Sequence, residues 1–297
     1  MIESKIIQGL MRIDKLTPQE LLNLIKFDLE HGINFFDTSN IYGNGLSEKL
    51  IGEAIKLEPT IRDKMIIQSK CGIYFDENNS SYYDLSKERI IKSCYESLER
   101  LNTSYLDYFL LHRPDIFVDN KEVAEAINFL VKEKKILHFG VSNFSKELID
   151  YLSIEAKQKI EVNQLQLGLG HLNLVSDVFN LNTNLNIINN NDLYFYLRKN
   201  NIKIQCWSPF LYGMFEGNIL NNDKFTKLNN ELDILSKKYN TNKSTIALSF
   251  LLNLNDDIAI VIGSLNTNHI LDAIKAIEIK LTKIEWYRLY KSVNVLP

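Results

Sequence analysis

Residues 33–43, INFFDTSNIYG, join a short apolar run to a carboxylate at its end, Asp37, and to a tyrosine shortly after it, Tyr42. Two further apolar runs in the first third of the chain end in a reactive side chain: MIIQSK ends in Lys70, and LDYFLLH ends in His112. A β/α barrel carries its active site at the carboxyl ends of its parallel strands. The pattern therefore predicts a barrel with four ionisable groups on one face.

Strand-like and helix-like segments alternate along the whole chain, which indicates βα units around a parallel sheet. The first helical segment has Thr17 as N-cap, Pro18 at its first position, Glu20 in a capping box and Gly32 as its stop. The eight strand-like runs are IIQGLM, NFFDT, MIIQSK, LDYFLLH, ILHFGVSN, EVNQLQ, IKIQCWSPF and DDIAIVIGS. We therefore expect an α/β fold, a (β/α)8 TIM barrel formed as a single domain over residues 1–297, with an additional C-terminal helix in KIEWYRLYKS.

The composition limits the class of function. With 297 residues, of which 45% are hydrophobic, the chain is long enough for one such barrel. Its net charge of −3 argues against nucleic acid as the main partner, and no apolar run approaches the ~20 residues of a membrane helix. The N-terminal segment lacks the apolar core of a secretory signal, and Cys71, Cys94 and Cys206 have no metal or disulfide spacing. We expect a cytoplasmic protein without a metal, a membrane or a nucleic acid partner.

Two long segments read as loops that leave the carboxyl ends of strands, residues 72–86 and residues 168–191. Loops of this length in a compact domain are usually functional or mobile. Both are expected to help wall a substrate pocket. For the second, Asn-rich segment, a simple surface excursion is an equally open interpretation.

The order Asp37, Tyr42, Lys70, His112, each in its local context, resembles the catalytic tetrad of the aldo-keto reductase family. The segments YG-NGLSE, HRPD and KCGI are similar to a bacterial branch of broad-specificity reductases. The resemblance implies NAD(P)H-dependent reduction of an aldehyde or ketone. Each residue alone favours a structural role, such as a turn cap, a surface lysine or a packed ring. Together, in this order and spacing, they favour the catalytic interpretation.

In that interpretation Tyr42 is the general acid that protonates the substrate oxygen. A phenol has a pKa of about 10, so it needs a neighbour that lowers its pKa in order to work near neutrality. The resemblance gives this role to the Lys70 ammonium, with Asp37 holding Lys70 in place. It assigns His112 to donate a hydrogen bond to the substrate oxygen and so to orient the substrate.

The resemblance also implies a nicotinamide cofactor. The family typically uses NADP(H), and NAD(H) is the alternative. Ser142, Asn143 and Gln164 would hold the carboxamide and Trp207 would stack on the nicotinamide ring. The full set of cofactor contacts implied by the resemblance is Gly9, Met11, Arg12, Asp37, Ser142, Asn143, Gln164, Trp207, Ser208, Pro209, Phe210, Leu211, Gly263, Ser264, His269 and Asp272.

The chain departs from the family pattern where the adenosine 2′-phosphate is expected to bind. The family commonly has an arginine five residues beyond Ser264, and this chain has His269. Histidine is a weaker, pH-dependent partner for a phosphate, whereas arginine is bidentate and always charged. Mixed use of NADPH and NADH is therefore expected, with Asn266, Asn268 and Lys275 as possible substitutes.

Two other functions compete with carbonyl reduction. A nucleotide-binding regulatory protein of the same fold, similar to the beta subunits of voltage-gated potassium channels, would bind the cofactor with little turnover. A barrel enzyme without nicotinamide would have to treat the cofactor set as coincidence. The expected partner is a small carbonyl compound, the expected state is a monomer, and the substrate itself is left open.

Overall fold

The computed structural model describes residues 2–179 and 192–296. The barrel strands are β1 (Ile6–Gly9), β2 (Phe35–Asp37), β3 (Ile66–Cys71), β4 (Leu106–Leu111), β5 (Ile136–Ser142), β6 (Ile160–Gln166), β7 (Lys203–Trp207) and β8 (Ile258–Ile262). The helices are α1 (Pro18–Glu30), α2 (Leu46–Leu57), α3 (Lys87–Arg100), α4 (Asn120–Lys132), α5 (Lys146–Ser153), α6 (Asn173–Ser176), α7 (Leu193–Lys199), α8 (Thr226–Lys238), α9 (Lys243–Leu252), α10 (Thr267–Lys275) and α11 (Lys283–Val293).

The eight strands close into a barrel in their chain order. The predicted (β/α)8 fold class and the additional C-terminal helix, α11, are confirmed. The chain divides into two compact units, Met1–Gln164 and Leu165–Pro297. The single domain over residues 1–297 stays a prediction.

Local signals explain where the helices begin. Thr17 accepts a hydrogen bond from the backbone N–H of Glu20, whose side chain accepts one from the backbone N–H of Thr17, so the predicted capping box forms. The same reciprocal pair, Thr282 and Glu285, opens α11. Each pair satisfies backbone N–H groups that the first helical turn leaves without partners. Among the described residues, no helix is long and apolar enough to cross a membrane.

The sequence predicted a loop over residues 72–86. The structure instead has a two-stranded antiparallel hairpin there, formed by Ile73–Phe75 and Ser81–Tyr83. Asp76 Oδ1 accepts from the backbone N–H groups of residues 78 and 80, which closes the turn between the two strands. Of the segment 168–191, α6 occupies residues 173–176, and residues 180–191 lie outside the described residues.

Strand pairing brings the reactive strand ends to one edge of the sheet. Gly9 pairs with Asp37, and Asp37 pairs with Gln68 on β3. Alternate residues of a strand point to the same side, so Gln68 and Lys70 share one face of β3. The residues at these strand ends are buried, and the fold therefore encloses charged and amide groups that must satisfy one another.

Asp28, on α1, is a fully buried carboxyl group. No donor among the described residues reaches either of its oxygens. Burial raises the pKa of Asp28 to about 7, because the charged form loses its hydration. An unfolded aspartate has a pKa of about 3.9, so between these two values the native state binds more protons than the unfolded state. The stability contributed by this group therefore falls as the pH rises from about 4 to about 7.

Asp28→Asn should stabilise the protein at pH 8 and leave its stability at pH 4 nearly unchanged, because the amide cannot ionise. We expect a gain of about 1–4 kcal/mol at pH 8, up to the full linkage energy, because the buried acid and the buried amide both lack partners and differ only in whether they ionise. Urea unfolding followed by circular dichroism at both pH values measures the effect.

Glu30→Gln, a change at an exposed carboxylate of the same helix, is the matched control and should alter neither value. Equal stabilisation by Asp28→Asn at pH 4 and at pH 8 would contradict the ionisation of Asp28.

Candidate active site

A buried ion pair lies at the centre of the candidate site. Lys70 is fully buried, and its Nζ lies 2.7 Å from Asp37 Oδ1. The ammonium donates to Asp37 Oδ2 at 2.8 Å, to the backbone carbonyl of Thr38 at 2.9 Å and to Tyr42 Oη at 3.3 Å. A lysine ammonium has three N–H donors, and these three partners account for all of them. The sequence-predicted residues Asp37, Tyr42 and Lys70 are thus brought together.

Two glutamine side chains hold the carboxylate of the pair. Gln68 Nε2 donates to Asp37 Oδ1 at 2.6 Å, and Gln164 Nε2 donates to the same oxygen at 3.0 Å. A carboxylate only accepts hydrogen bonds, and both amide N–H groups meet that requirement. Asp37 is therefore fixed from β3 and from β6 at once. Gln164, assigned from the resemblance to the cofactor, makes this bond within the protein.

The charges of the site set the protonation of its residues. Burial alone lowers the pKa of Lys70, but the neighbouring Asp37 and Tyr42 raise it by more, so the pKa ends above its usual value and the amine stays protonated. For Tyr42, burial raises the pKa, and Lys70 opposes this effect only in part. The expectation that Lys70 lowers the pKa of Tyr42 is right in direction, but burial outweighs it in this structure.

His112 lies against the tyrosine. The two rings meet edge to face with centroids 5.9 Å apart. The Nδ1 atom of His112 is 3.0 Å from Ser39 Oγ. Burial lowers the pKa of His112 well below its usual value, and the positive charges of Lys70 and Arg113 lower it further. The imidazole is therefore neutral near neutral pH and has one N–H to donate.

The three predicted carboxamide contacts adjoin this group. Ser142 Oγ donates to the backbone carbonyl of Gln164 at 2.9 Å, and Asn143 Nδ2 donates to Ser142 Oγ at 2.8 Å. Asn143 has a left-handed backbone, with φ of 64°, and its Nδ2 also approaches the carbonyl of His112 at 3.4 Å. A chain of hydrogen bonds therefore connects Lys70, Asp37, Gln164, Ser142, Asn143 and His112.

Glu48, in the first turn of α2, connects the helix that follows the Tyr42 turn to β3 and α3. This carboxylate is fully buried, accepts from Ser69 Oγ, and forms an ion pair with Arg100 Nε at 2.7 Å. Ser69 directly precedes Lys70. The turn ends at Gly45, which has φ of 85° and would bring a Cβ within 2.9 Å of Arg100 Cδ. The left-handed backbone favours glycine there, and a larger residue would also have to displace the Arg100 side chain.

The remaining predicted contacts of the first unit follow β1. Gly9 ends the strand beside Asp37, and the backbone N–H of Leu10 donates to the Asp37 carbonyl at 2.8 Å. Met11 and Arg12 lie in the exposed turn that follows. Their backbone therefore begins next to the central ion pair, while their side chains face solvent.

In the second unit, the predicted residues after β7 form a turn. Trp207 ends the strand half-buried, and its ring lies 6.0 Å from that of Phe215. Ser208 has φ of 50°, and its carbonyl accepts from the backbone N–H of Leu211 at 3.1 Å. The turn residues assigned from the resemblance are Ser208, Pro209, Phe210 and Leu211. A backbone hydrogen bond therefore closes this turn directly after Trp207.

The other predicted group of the second unit surrounds the start of α10. Ser264 Oγ lies 3.1 Å from His269 Nδ1, and Asn266 caps the helix by accepting from the backbone N–H of residue 268 at 2.9 Å. Gly263 has open space where a Cβ would lie. Asp272 offers its backbone carbonyl to Thr245.

Lys275 is poorly placed to replace an arginine at the start of α10. It lies in the last turn of the helix, and its Nζ donates to the backbone carbonyl of Asn240 at 2.7 Å. A helix rises about 1.5 Å per residue, so this lysine is separated from the helix start by most of the helix length.

Other reactive groups are shielded. All three cysteines are buried, and burial raises the pKa of each thiol, that of Cys94 to about 12. Across the part of the chain that the structure describes, no group of three or more acidic, histidine or cysteine side chains could hold a metal ion. Tyr42, Lys70 and His112 carry groups that can donate protons or hydrogen bonds.

Residues 5–294 match the sequence model of the Aldo/keto reductase family, and the chain belongs to this family. It is 30% identical to the "Uncharacterized oxidoreductase YcsN" of Bacillus subtilis, over 98% of this chain and 94% of the relative. It is also 30% identical to "Oxidoreductase YdhF" of Escherichia coli, over 97% and 93%. Membership in this family makes the protein an enzyme of the oxidoreductase class.

Solved structures support the fold. An aldo-keto reductase from Klebsiella pneumoniae in complex with NADPH has a TM-score of 0.77 at 21% identity, covering 98% of this chain and 91% of that chain. The thermostable aldo-keto reductase Tm1743, in complex with the inhibitor epalrestat, has a TM-score of 0.76 at 23% identity, covering 97% and 95%. At these identities the likeness concerns the barrel and its topology.

The residues present suit a nicotinamide dinucleotide in kind. Ser142, Asn143 and Gln164 offer one hydroxyl and two carboxamides, groups that can both donate and accept toward an amide. Trp207 offers a flat aromatic face of the type that stacks on rings. Backbone N–H groups at the N-terminus of α10, beside Ser264, suit a phosphate.

Sequence reasoning missed Gln68, Ser39 and Glu48. Gln68 stands two residues before Lys70 in a strand and therefore on the same side, a signal that the sequence carries. Ser39 lies between two predicted catalytic residues in DTSNIYG and gave no comparable signal. The contact of Glu48 with Arg100 joins residues 52 positions apart, which no local pattern indicates.

Glu48→Gln should destabilise the protein and weaken catalysis by loosening α2, the helix that follows the Tyr42 turn. Arg100 and Ser69 would keep a partner of the same shape but lose its charge, and hydrogen bonds to charged groups contribute about 1.5–3 kcal/mol each. We expect a loss of about 2 kcal/mol in the free energy of unfolding together with a lower kcat. Lys49→Gln, an exposed change on the same helix, should alter neither. Unchanged stability in Glu48→Gln would show that this carboxylate does not hold α2 to β3 and α3.

Proposed function

We propose that this enzyme reduces an aldehyde or ketone to the alcohol, with Tyr42 as the proton donor. The observation that carries the proposal is the contact of Tyr42 Oη with the buried Lys70 ammonium at 3.3 Å, beside a neutral His112. The three groups supply a proton, a charge that stabilises the resulting phenolate, and a hydrogen-bond donor. Carbonyl reduction requires these functions in addition to a hydride.

When bound, NADP(H) supplies the hydride. Tyr42 gives its proton to the oxygen on which negative charge develops. The phenolate left behind faces the Lys70 ammonium, which Asp37 keeps charged. A fixed cation in a buried site stabilises such a charge without the reorganisation that water would require. Asp37 is thus two hydrogen bonds away from the Tyr42 hydroxyl and acts on it through Lys70.

His112 is proposed to orient the substrate. A neutral imidazole can donate one hydrogen bond to the carbonyl oxygen, which fixes the oxygen near Tyr42 Oη. A charged imidazolium would instead compete with Tyr42 as the proton donor. Burial, with Lys70 and Arg113, lowers the pKa of His112 and so supports the neutral form.

We propose that the substrate is a small molecule with an apolar group beside its carbonyl. The loop after β4 exposes Ile116 and Phe117 at about nine-tenths of their surface, and the neighbouring hairpin exposes Phe75 and Tyr83. Asp115 joins this loop to the segment after the hairpin by accepting from the Leu85 N–H at 3.0 Å. Exposed apolar side chains in the segments that follow two neighbouring barrel strands suit a nonpolar ligand group.

The name of one relative of this chain supports the proposal of carbonyl reduction. The chain is 28% identical to a "6-dehydroglucose reductase" of Agrobacterium fabrum, over 97% of this chain and 93% of the relative.

We propose further that the protein acts as a cytoplasmic monomer in which residues 1–297 form one catalytic domain. The cofactor contacts assigned to the strand ends and to α10 are part of the same proposal.

Tyr42→Phe should abolish most carbonyl reduction and leave nucleotide affinity near that of the wild type, because the change removes the proton donor and keeps the ring. We expect kcat to fall by about a hundredfold or more, the usual contribution of a general acid. Steady-state oxidation of NADPH and of NADH with an activated aromatic aldehyde measures turnover, and fluorescence titration measures binding.

Tyr151→Phe is the matched control, since it removes a hydroxyl from an exposed ring on α5. Wild-type turnover in Tyr42→Phe would contradict the assigned role of Tyr42. Nucleotide binding by the wild type without turnover on any aldehyde or ketone would favour the regulatory function instead.

His269→Arg should raise the preference for NADPH over NADH. Arginine offers a permanent charge and a bidentate donor to the 2′-phosphate, whereas His269 is a single ring beside Ser264. We expect the ratio of the two kcat/KM values to rise by about tenfold, equivalent to one charge-assisted bond. An unchanged ratio would show that the 2′-phosphate is bound elsewhere, and Lys275→Arg, at the other end of α10, is the matched control.

A further inference from the structure

We propose that Ser39 sets the tautomer of His112: its hydroxyl donates to Nδ1, which leaves the ring proton on Nε2 for the substrate oxygen. Ser39 is then a positioning residue that acts through His112. The proposal rests on the proposed function for the role of His112. The tautomer itself is a property of the protein alone.

The position of Ser39 supports this assignment. Its side chain is fully buried between two residues of the site. Its Oγ lies 3.0 Å from His112 Nδ1, and its backbone carbonyl accepts from the backbone N–H of Tyr42 at 3.2 Å. The next residue, Asn40, donates its backbone N–H to the carbonyl of Lys70 at 3.3 Å. Ser39 therefore contacts the proton donor through its backbone and the orienting imidazole through its side chain.

The tautomer matters because the imidazole is neutral. A neutral ring carries its proton on one nitrogen and offers a lone pair on the other. With the proton on Nε2, His112 can donate a hydrogen bond to a carbonyl oxygen. With the proton on Nδ1, the lone pair of Nε2 would face the lone pairs of that oxygen and repel it. The two tautomers therefore differ in whether the ring can bind the substrate in the reactive orientation.

Ser39 has one hydroxyl proton and two acceptors within reach. Asn40 Oδ1 lies 3.3 Å from Oγ, and His112 Nδ1 lies 3.0 Å from it. Hydroxyl hydrogen bonds between oxygens usually span 2.5–3.0 Å, so the contact with Asn40 is long. The shorter contact favours donation to Nδ1. Donation to Asn40 would instead leave Oγ to accept a proton from Nδ1, the unproductive arrangement.

The tautomer can be measured without turnover. In protein labelled with 15N-histidine, one- and two-bond 15N–1H correlations distinguish a protonated from an unprotonated nitrogen in each ring. Loss of signals in His112→Gln assigns the residue among the five histidines of the chain. In the wild type at pH 7.5 we expect the proton on Nε2. In Ser39→Ala we expect the His112 signals to shift toward a mixture of the two tautomers.

Two variants separate this role from a structural one. Ser39→Thr keeps a hydroxyl and should restore the Nε2–H signals, and if its extra methyl prevents folding, Ser39→Cys retains a weaker donor. Thr38→Val removes the hydroxyl next in the chain, for which no partner exists among the described residues, and should leave the His112 signals unchanged. With an aldehyde, Ser39→Ala should lower kcat by about tenfold while the dissociation constant for NADPH stays the same.

The outcomes are distinct. A wild-type ring protonated on Nδ1, or identical His112 signals in wild type and a folded Ser39→Ala variant, would overturn the proposal. An Nε2–H ring that depends on Ser39, in a protein that reduces no carbonyl compound, would uphold the tautomer assignment and overturn the proposed reductase function instead.

Discussion

The ion pair between Lys70 and Asp37 is the constraint on which the rest of the site depends. Burying a single charge costs several kcal/mol, and removing one partner of a buried pair leaves the other uncompensated. The fold meets this constraint with Gln68, Gln164 and the carbonyl of Thr38, which satisfy the remaining donors and acceptors. Tyr42 occupies the last position on the ammonium. The position of Tyr42 therefore depends on the hydrogen bond that it accepts from the Lys70 ammonium, as well as on the turn that carries Tyr42.

The sequence predicted the elements whose signals are local. Strand runs that end in polar residues located Asp37, Lys70 and His112, and a capping box located the start of α1. Three helices were not predicted from the sequence: α6, which lies in a segment read as a loop, and α8 and α9, for physical reasons. The residue before α8 makes no side-chain cap, and α9 is buried on nearly all sides, so it lacks the one-sided apolar pattern that identifies a surface helix.

The partners within the site were less predictable than its members. Which side chain meets Asp37 depends on strand register, on rotamers and on residues more than a hundred positions apart, as in the bond from Gln164. A sequence pattern records what each strand end carries but not which atoms touch. The same limit applies to Ser39, whose proposed role depends on the direction of one hydrogen bond, from its Oγ to His112 Nδ1. The protonation of Tyr42 shows it again, because burial and charge act in opposite directions and their balance requires coordinates.

The buried thiols and the charged state of Lys70 have a consequence for selectivity between nucleophiles. Aldehydes react with amines to form imines and with thiolates to form hemithioacetals. Lys70 donates to the hydroxyl of Tyr42, the proposed proton donor, yet as an ammonium it has no lone pair with which to attack a carbonyl. The three cysteines are buried and hold their protons. The same electrostatics that stabilise a phenolate thus keep the enzyme from being covalently trapped by the electrophiles that it is proposed to reduce.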